Sequence, residues 1–153
     1  MIHHVEIYTD GSSRGNPGPG GLGVVLRANG KQKEIAEGYQ MTTNNRMELM
    51  AVIRGLEALK KEGLNVTIYS DSKYVVDSYS KGWVFGWVKK PGFGGKKNQD
   101  LWMRFLELAR LHTVSFVWVK GHADNYFNNI CDQLATRAAD SGPHMKDAGF
   151  RPS

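Results

Sequence analysis

The sequence predicts an α/β domain in which one mixed β-sheet carries helices on its faces. Three segments with strand character come first, and helical stripes then alternate with two further β-branched runs. The first three strands are expected to pair antiparallel through hairpins, and the later ones to join the same sheet. At 153 residues and without an internal repeat, the chain has room for one core and one domain.

The first three strands are predicted from alternation and from one turn. Apolar and polar side chains alternate from residue 5 to residue 10, which is typical of a strand. Residues 11–21 are rich in Gly and Pro, so an open loop is expected directly after Asp10. Strands 22–27 and 34–41 flank Asn29-Gly30, a strong hairpin signal.

The remaining elements alternate between helix and strand. Apolar residues recur at helical spacing from Arg46 to Leu59, and Gly63 ends this stripe. The further elements, in chain order, are strand 64–69, helix 73–80, a basic aromatic segment at 81–99, helix 100–111, strand 114–120, loop 121–128 and helix 129–139. From Asp140 onward, Gly, Pro and polar residues predict a tail with weak structure.

Composition favours a globular protein of a reducing compartment. Hydrophobic residues make up 41% of the chain and charged residues 23%, so disorder is not expected. The single cysteine, Cys131, cannot form an internal disulfide. No apolar run approaches the roughly 18 residues of a membrane span, and no leader opens the chain. These features together predict a cytoplasmic protein without a membrane partner.

The net charge of +5 has a local origin. Five lysines lie in one stretch that contains no acidic residue before Asp100: Lys81, Lys89, Lys90, Lys96 and Lys97. Without them, 15 basic residues would balance 15 acidic ones. An excess confined to one segment indicates a docking patch for an anionic partner.

Four acids stand at strand ends or helix starts. Asp10 ends a predicted strand, Asp71 follows another, Glu48 lies in the first turn of a helix, and Asp132 lies near the start of a further helix. Each has a plain structural alternative. Asp10 is also a common turn former, Glu48 could complete a capping box behind Asn45 as N-cap, and Asp132 could be a solvated helix-start acid.

If the sheet brings these acids together, their repulsion requires a cation. Oxygen ligands suit Mg²⁺ or Mn²⁺, and a site with two ions can hold a phosphodiester from both sides. Cys and His do not occur at zinc spacing, and neither a Gly-x-Ser-x-Gly elbow nor a phosphate-binding glycine loop is present.

Several motifs occur in the same order as in a known family. They are Tyr8-Thr9-Asp10-Gly11-Ser12, Gly15-Asn16-Pro17-Gly18, the run from Thr42 to Leu49, Ser70-Asp71-Ser72, and Val119-Lys120-Gly121-His122-Ala123. Through them the chain resembles bacterial ribonuclease H of the ribonuclease HI type. The resemblance implies a ribonuclease H-like fold, classed as α/β or in some schemes α+β, with a five-stranded mixed sheet. It also implies a catalytic domain at 1–140, with a basic handle at 81–99, and a tail at 141–153.

The activity implied by the resemblance is endonucleolytic hydrolysis of the RNA strand of RNA/DNA hybrids. The products would carry 5′-phosphate and 3′-hydroxyl ends. The implied cofactor is Mg²⁺, with Mn²⁺ as a substitute and two ions per site when substrate is bound. The hybrid is the implied partner, and the enzyme is expected to act as a monomer without an obligate protein partner.

The resemblance also implies roles for individual residues. The metal-binding catalytic carboxylates would be Asp10, Glu48, Asp71 and Asp132, and His122 would assist proton transfer or product departure. Substrate would be bound at the minor groove by Asn16, Asn44 and Asn45, near the DNA phosphates by Thr43 and Asn98, and by the handle through Trp83, Lys89, Lys90, Lys96 and Lys97. Two further substrate positions, Ser13 and Lys73, carry residues unusual for the family, which has cysteine and glutamine there.

Other interpretations of these residues stay open at this point. His122 could be an inert surface residue, and Trp83 and Trp102 could pack on their own domain. A nuclease of transposase or resolvase type would place similar acids on a similar sheet but would cut DNA. A hybrid-binding module without catalysis would keep the recognition residues alone. The choice of substrate separates these classes.

Overall fold

The computed structural model describes residues 4–120 and 125–151. Its strands are β1 His4–Ser13, β2 Gly18–Ala28, β3 Lys31–Thr42, β4 Asn65–Ser70, β5 Thr113–Trp118 and β6 His144–Met145. Its helices are α1 Asn44–Glu57, α2 Lys73–Ser80, α3 Trp83–Val88, α4 Gln99–Ala109 and α5 Tyr126–Ser141, with a short 3-10 segment at Pro91–Gly95.

The strands form one mixed sheet in the order β5-β4-β1-β2-β3-β6. The hairpin strands β1, β2 and β3 pair antiparallel, whereas β4 and β5 join parallel beside β1. The predicted mixed sheet is thereby confirmed, but the described residues contain six strands and not five. The additional strand, β6, pairs with β3 at Gly38 and Tyr39.

Helices cover both faces of this sheet. Ile7 is buried in the larger core with α1 and α4, whereas the next residue, Tyr8, is buried on the opposite face beside Cys131 of α5. Successive side chains of a strand point to opposite faces, so β1 contributes to both cores. Helices α1 and α5 therefore pack against opposite faces of β1, the strand that carries Asp10.

Several predicted element ends differ from the structure, two of them close to the predicted acids. β1 does not end at Asp10 but continues to Ser13, because Gly11 pairs with Leu22 and Ser13 with Gly20 on β2. The helix predicted to begin at residue 129 begins at Tyr126. The Asn125 side chain caps it by accepting hydrogen bonds from two backbone N–H groups of the first turn.

The N-terminus of α1 also differs from the expectation. Thr43, and not Asn45, is the N-cap, and its Oγ1 accepts a hydrogen bond of 3.3 Å from the Arg46 N–H. Asn45 lies inside the helix. Glu48 therefore does not complete a capping box and is directed to another partner.

The C-terminal segment is more ordered than the sequence predicts. Besides the strand β6, Asp147 is buried and accepts hydrogen bonds from Arg46 and Thr42. At Gly149 an added Cβ would collide with the Asp100 carboxylate, so the chain passes directly over that side chain. The expectation of a weakly structured tail is wrong for these residues, because an ion pair and a strand hold them.

The basic segment 81–99 is fixed to the domain by two apolar anchors. Val84 and Phe93 are buried, while the five lysines are exposed. Trp102, on α4, is fully buried and so belongs to the core, whereas Trp83 remains 49% exposed. Within the two described ranges, none of the helices has the length and apolarity needed to cross a bilayer.

Candidate active site

Three of the four predicted carboxylates meet at one place. Asp10 of β1, Glu48 of α1 and Asp71, which follows β4, each place one oxygen within 4.8 Å of the other two. Asp10 and Glu48 are buried, and Asp71 is half-buried. Side chains from three separate elements thus converge on a small negative site.

The edge on which the site lies is formed by the end of β4. The parallel pairing of β1 and β4 stops at Tyr8 and Tyr69, and β4 itself ends at Ser70. β1 continues, with Asp10 opposite Gly23 of β2. Asp10 therefore lies past the end of the β1–β4 pairing but within β1, which corrects its predicted place at the end of β1.

Gly11 brings α1 against β1. A Cβ at this position would collide with the backbone of Met47 and Glu48, so only glycine permits this approach. The Gly11 N–H then donates to Glu48 Oε1 at 2.7 Å and to Asp10 Oδ1 at 3.0 Å. One backbone donor thereby fixes two carboxylates side by side.

Asp132 approaches the site on α5, which covers the face of the sheet opposite α1. The helix lies close to the sheet because Gly23 has no side chain, and an added Cβ there would collide with the Cys131 carbonyl. The Asp132 carboxyl is near enough to raise the pKa of Asp10, although it is not part of the three-residue cluster. The fourth predicted acid thus borders the site.

The electrostatics of the cluster favour a bound cation. Burial raises the pKa of Asp10 to about 8, with further contributions from the carboxyls of Asp71 and Asp132. Burial and the charges of Asp10 and Asp71 raise the pKa of Glu48 well above its usual range. Asp71 Oδ1 is buried without a hydrogen-bond partner among the described residues. A negative site with only oxygen donors, one of them unsatisfied, fits a hard divalent ion.

We expect the metal-free protein to lose stability as the pH rises from about 4 to about 8. Asp10 has an ordinary pKa of 3.8 and a folded-state pKa of about 8, so the folded state holds a proton that the unfolded state releases. This contribution to stability is complete below the unfolded pKa and is lost as pH passes the folded pKa. One such proton gives at most about 1.4 kcal/mol per pH unit.

The measurement is urea unfolding across this pH range with EDTA, for the wild type and Asp10→Asn. The variant should show a shallower fall, because the amide that replaces the carboxyl does not titrate and no longer raises the Glu48 pKa. Millimolar Mg²⁺ should flatten the wild-type dependence. If the free energy of unfolding falls equally steeply with pH in the two proteins, the raised pKa of Asp10 is contradicted.

The residues predicted to contact the minor groove gather on an exposed rim. The Asn16 side chain accepts a hydrogen bond of 3.1 Å from the Asn44 N–H, so the loop after β1 is tied to the start of α1. Asn16, Asn44 and Asn45 are all exposed, and Ser13 stands at the end of β1. The rim continues from the strand that carries Asp10.

The residues predicted to lie near DNA phosphates line a cavity of about 520 Å³. Thr43, Lys97 and Asn98 form part of its wall, and Gly149, Phe150 and Arg151 form another part. The sequence did not indicate this C-terminal contribution. Asn98 is held by Arg46, which donates to its Oδ1 at 3.3 Å, and by the Tyr74 hydroxyl, which accepts from its Nδ2 at 3.1 Å.

Lys73 lies beside the acid cluster with an aromatic neighbour. Its Nζ is 4.2 Å from the centroid of the Trp118 ring, and the Trp118 indole N–H donates to the Asp71 carbonyl at 3.3 Å. Trp118 was not among the predicted site residues, because its alternation in β5 indicated only a strand. His122, the predicted mobile-loop residue, lies outside the described residues.

The handle carries the remaining predicted contacts. Lys89, Lys90, Lys96 and Lys97 are exposed, as are Trp83 and its neighbour Phe85. Lys96 Nζ lies 5.6 Å from the Trp87 ring centroid. Exposed cations interleaved with aromatic faces suit a nucleic-acid backbone.

Comparison with known proteins assigns the chain to a family. A family model described as RNase H matches residues 3–140, which is most of the chain. The chain belongs to the ribonuclease H family. Ribonuclease HI of Haemophilus ducreyi is 51% identical over 153 residues, covering 97% of this chain and 98% of that protein. Ribonuclease H of Syntrophus aciditrophicus is 49% identical over 150 residues, covering 95% of this chain and 86% of that protein.

Solved structures of the ribonuclease H family share the fold. LC9-RNase H1, described as a type 1 RNase H with the type 2 active-site motif, has a TM-score of 0.82 at 31% identity and covers 100% of this chain and 79% of its own. LC11-RNase H1 in complex with RNA/DNA hybrid has a TM-score of 0.65 at 29% identity, covering 89% of this chain and 96% of its own. The chain is thus a ribonuclease H, which is a phosphodiester hydrolase.

Proposed function

We propose that this ribonuclease H cuts the RNA strand of RNA/DNA hybrids internally and leaves 5′-phosphate and 3′-hydroxyl ends. The observation that carries the proposal is the cluster of Asp10, Glu48 and Asp71, whose oxygens lie within 4.8 Å of one another. The hybrid complex of the structurally similar LC11-RNase H1 supports the choice of substrate.

The residues that would hold metal are the four acids Asp10, Glu48, Asp71 and Asp132. We propose Mg²⁺ as the ion, with Mn²⁺ as a substitute and two ions when substrate is bound. Bound divalent ions lower the pKa of a water and stabilise negative charge on a departing oxygen. In the net reaction, the water oxygen joins phosphorus, the bond from phosphorus to the 3′ oxygen breaks, and the 3′ oxygen gains a proton.

The protein contributes position and proton transfer. The Gly11 N–H holds Glu48 and Asp10 together before substrate arrives, so the cluster does not have to assemble at each turnover. Asp132, on α5 and so on the sheet face opposite α1, adds negative charge at the border of the site. His122 would carry a proton to or from the reacting phosphate or assist product departure.

Substrate selection would rest on three surfaces around the cluster. The amide groups of Asn16, Asn44 and Asn45 would hydrogen-bond to 2′-hydroxyls, which DNA lacks, and so identify the RNA strand. Thr43 and Asn98, in the cavity, would receive a phosphate of the DNA strand, and Ser13 and Lys73 would contact substrate beside the acids. The handle lysines would add affinity that falls with salt, with Trp83 lying against sugars.

We further propose that the enzyme works as a monomer in the cytoplasm, with residues 1–140 as the catalytic domain and 81–99 as its handle. All the acids of the site come from one chain. The single cysteine, Cys131, is buried and needs no oxidising compartment.

The decisive experiment is cleavage of four labelled substrates of matched sequence, with Mg²⁺ and with excess EDTA. They are RNA/DNA, RNA/RNA and DNA/DNA duplexes and single-stranded RNA. We expect cutting of the RNA strand in RNA/DNA alone, and only with Mg²⁺. End analysis of the fragments should give 5′-phosphates and 3′-hydroxyls.

Each alternative class gives a different result in that experiment. Cutting of DNA/DNA would favour a nuclease of transposase or resolvase type. Hybrid binding without cutting would indicate a recognition module. Cleavage that persists in excess EDTA would contradict the role given to the four acids.

A further inference from the structure

Asn128 occupies the point where β1 and β4 separate. It lies in the first turn of α5, and its side-chain Nδ2 donates to the carbonyl oxygens of Thr9 at 3.2 Å and Tyr69 at 3.5 Å. The ladder between these two strands ends at Tyr8 and Tyr69. One amide group from α5 therefore donates hydrogen bonds to both carbonyls just where strand pairing stops.

The orientation of this amide is determined by its neighbours. Both nearby groups are carbonyl oxygens, which accept hydrogen bonds, so the NH₂ end of the side chain must face them. A reversed amide would place Oδ1 against two other oxygens. Oδ1 is buried and has no hydrogen-bond partner within residues 4–120 and 125–151. The hydrogen bonds of the Asn128 side chain in the described residues are thus the two that it donates to β1 and β4.

These contacts connect the elements that carry three of the acids. The Thr9 carbonyl belongs to the peptide bond that leads into Asp10, and Tyr69 precedes Asp71 by two residues. Asp132 follows Asn128 by four residues on α5, so the two lie on the same side of the helix. Thr9 Oγ1 also donates to the Tyr69 carbonyl at 3.1 Å, but that bond joins only the two strands.

A neutral side chain suits this place because the surrounding charges repel. Burial, together with the nearby carboxyls of Asp71 and Asp132, raises the pKa of Asp10, so negative charge is already crowded at this place. A cation beside them would compete with the metal, and another acid would increase the repulsion. An amide can bridge the three elements and leave the charge of the site unchanged.

We propose that Asn128 is a positioning residue that sets the distance of Asp132 from Asp10 and Asp71, and thereby the affinity of the site for divalent ions. The inference rests on the proposed metal-dependent function. Loss of a partner outside the ligand shell commonly lowers metal affinity by about 10- to 100-fold, and we expect an effect of this size.

Two variants test the inference because they differ in volume but both lack the amide. Asn128→Ala leaves a cavity, whereas Asn128→Leu fills about the same space. Positioning by hydrogen bonds predicts that both variants bind Mg²⁺ about 10- to 100-fold more weakly. A packing role predicts that Leu restores the affinity. Asn129→Ala, a change at the exposed neighbour on the same helix, is the matched control.

The primary measurement is Mg²⁺ titration of the substrate-free protein, followed by the NMR shift of the Gly11 amide, which contacts both Asp10 and Glu48. Activity against Mg²⁺ concentration is the second measurement, and saturating metal should restore most of the rate. Thermal unfolding with EDTA reports folding separately. The control should match the wild type in all three.

The possible outcomes separate this inference from the proposed function. A wild-type affinity for Mg²⁺ in the folded Ala and Leu variants would overturn the role of Asn128 alone, as would a Leu variant that recovers fully. If the wild type itself neither binds Mg²⁺ nor requires it for cleavage, the proposed function is overturned, and the inference with it. Weakened Mg²⁺ binding in both variants, with the control unchanged, would support the positioning role.

Discussion

Asp10→Asn should abolish cleavage of an RNA/DNA hybrid and leave binding of the hybrid close to the wild-type level. Asp10 belongs to the acid cluster, and its carboxylate contributes one of the oxygens grouped within 4.8 Å. An amide keeps the size of the side chain but not its charge. The loss of activity should exceed the roughly 100-fold typical of changes outside the ligand shell.

Binding should persist because the surfaces that we propose to hold substrate do not include the acids of the cluster. The handle is anchored by Val84 and Phe93, far from Asp10 in the chain, and its lysines remain exposed. Hybrid affinity is measured by fluorescence anisotropy in EDTA, and the cleavage rate by single-turnover assay in Mg²⁺. Glu107→Gln removes the same charge from an exposed site on α4 and serves as the control.

A different result would change the interpretation of Asp10. If Asp10→Asn loses binding to the same degree as cleavage, Asp10 supports the fold of the substrate surface. If the variant keeps a rate near that of Glu107→Gln, the cluster is not the reaction centre. Unfolding measurements on both variants show whether either change acts through stability.

Local patterns in the sequence were sufficient to predict most of the sheet. Alternation in β1, the Asn29-Gly30 turn and the stripe of α1 each lie within a dozen or so residues, where local physics dominates. The prediction that β1 ends at Asp10 was wrong because Gly11 and Ser13 are residue types common in loops. Pairing with β2 overrides that preference, since strand propensity depends on the neighbouring strand.

The acids of the site could be predicted, but not the contacts that arrange them. The sequence identified the four acids and the cation that they would require if the sheet brought them together, and the structure places Asp10 and Asp71 beside Glu48. The contact of Gly11 with α1 and the bond from Asn128 to Thr9 join residues that are distant in the chain. No local pattern marks such pairs, so composition alone could not indicate them.

The C-terminal segment shows the same limit. Its Gly, Pro and polar residues resemble a loose tail, yet Asp147 lies 101 residues from the Arg46 side chain to which it is bonded. Nothing in the local sequence around Asp147 indicates that this acid is buried. The partners of Asp147 are Arg46 and Thr42, which the fold brings to the segment from distant parts of the chain.

Arg46→Met should lower the free energy of unfolding by about 3 to 5 kcal/mol, the usual cost of removing one partner from a buried ion pair. The Arg46 side chain is 3% exposed and that of Asp147 1% exposed. Arg46 donates to Asp147 at 2.7 and 3.0 Å, and to Asp100 at 2.9 and 2.7 Å. Without it, Asp147 would keep one bond, from Thr42, and a buried charge without its counter-charge.

Urea unfolding at neutral pH measures the change, with Arg14→Met as the control. Arg14 makes an equally short pair with Asp140, but both side chains are about half exposed, so water can replace the lost partner and stability should change little.

Replacing Asp147 by Leu in the Arg46→Met background should recover much of the loss, because the unpaired buried charge is then removed. If Arg46→Met costs no more than the control, the pair does not hold the C-terminal segment. If the double variant is stable but exposes residues 143–151 to proteolysis, the pair fixes the position of the segment more than it stabilises the domain.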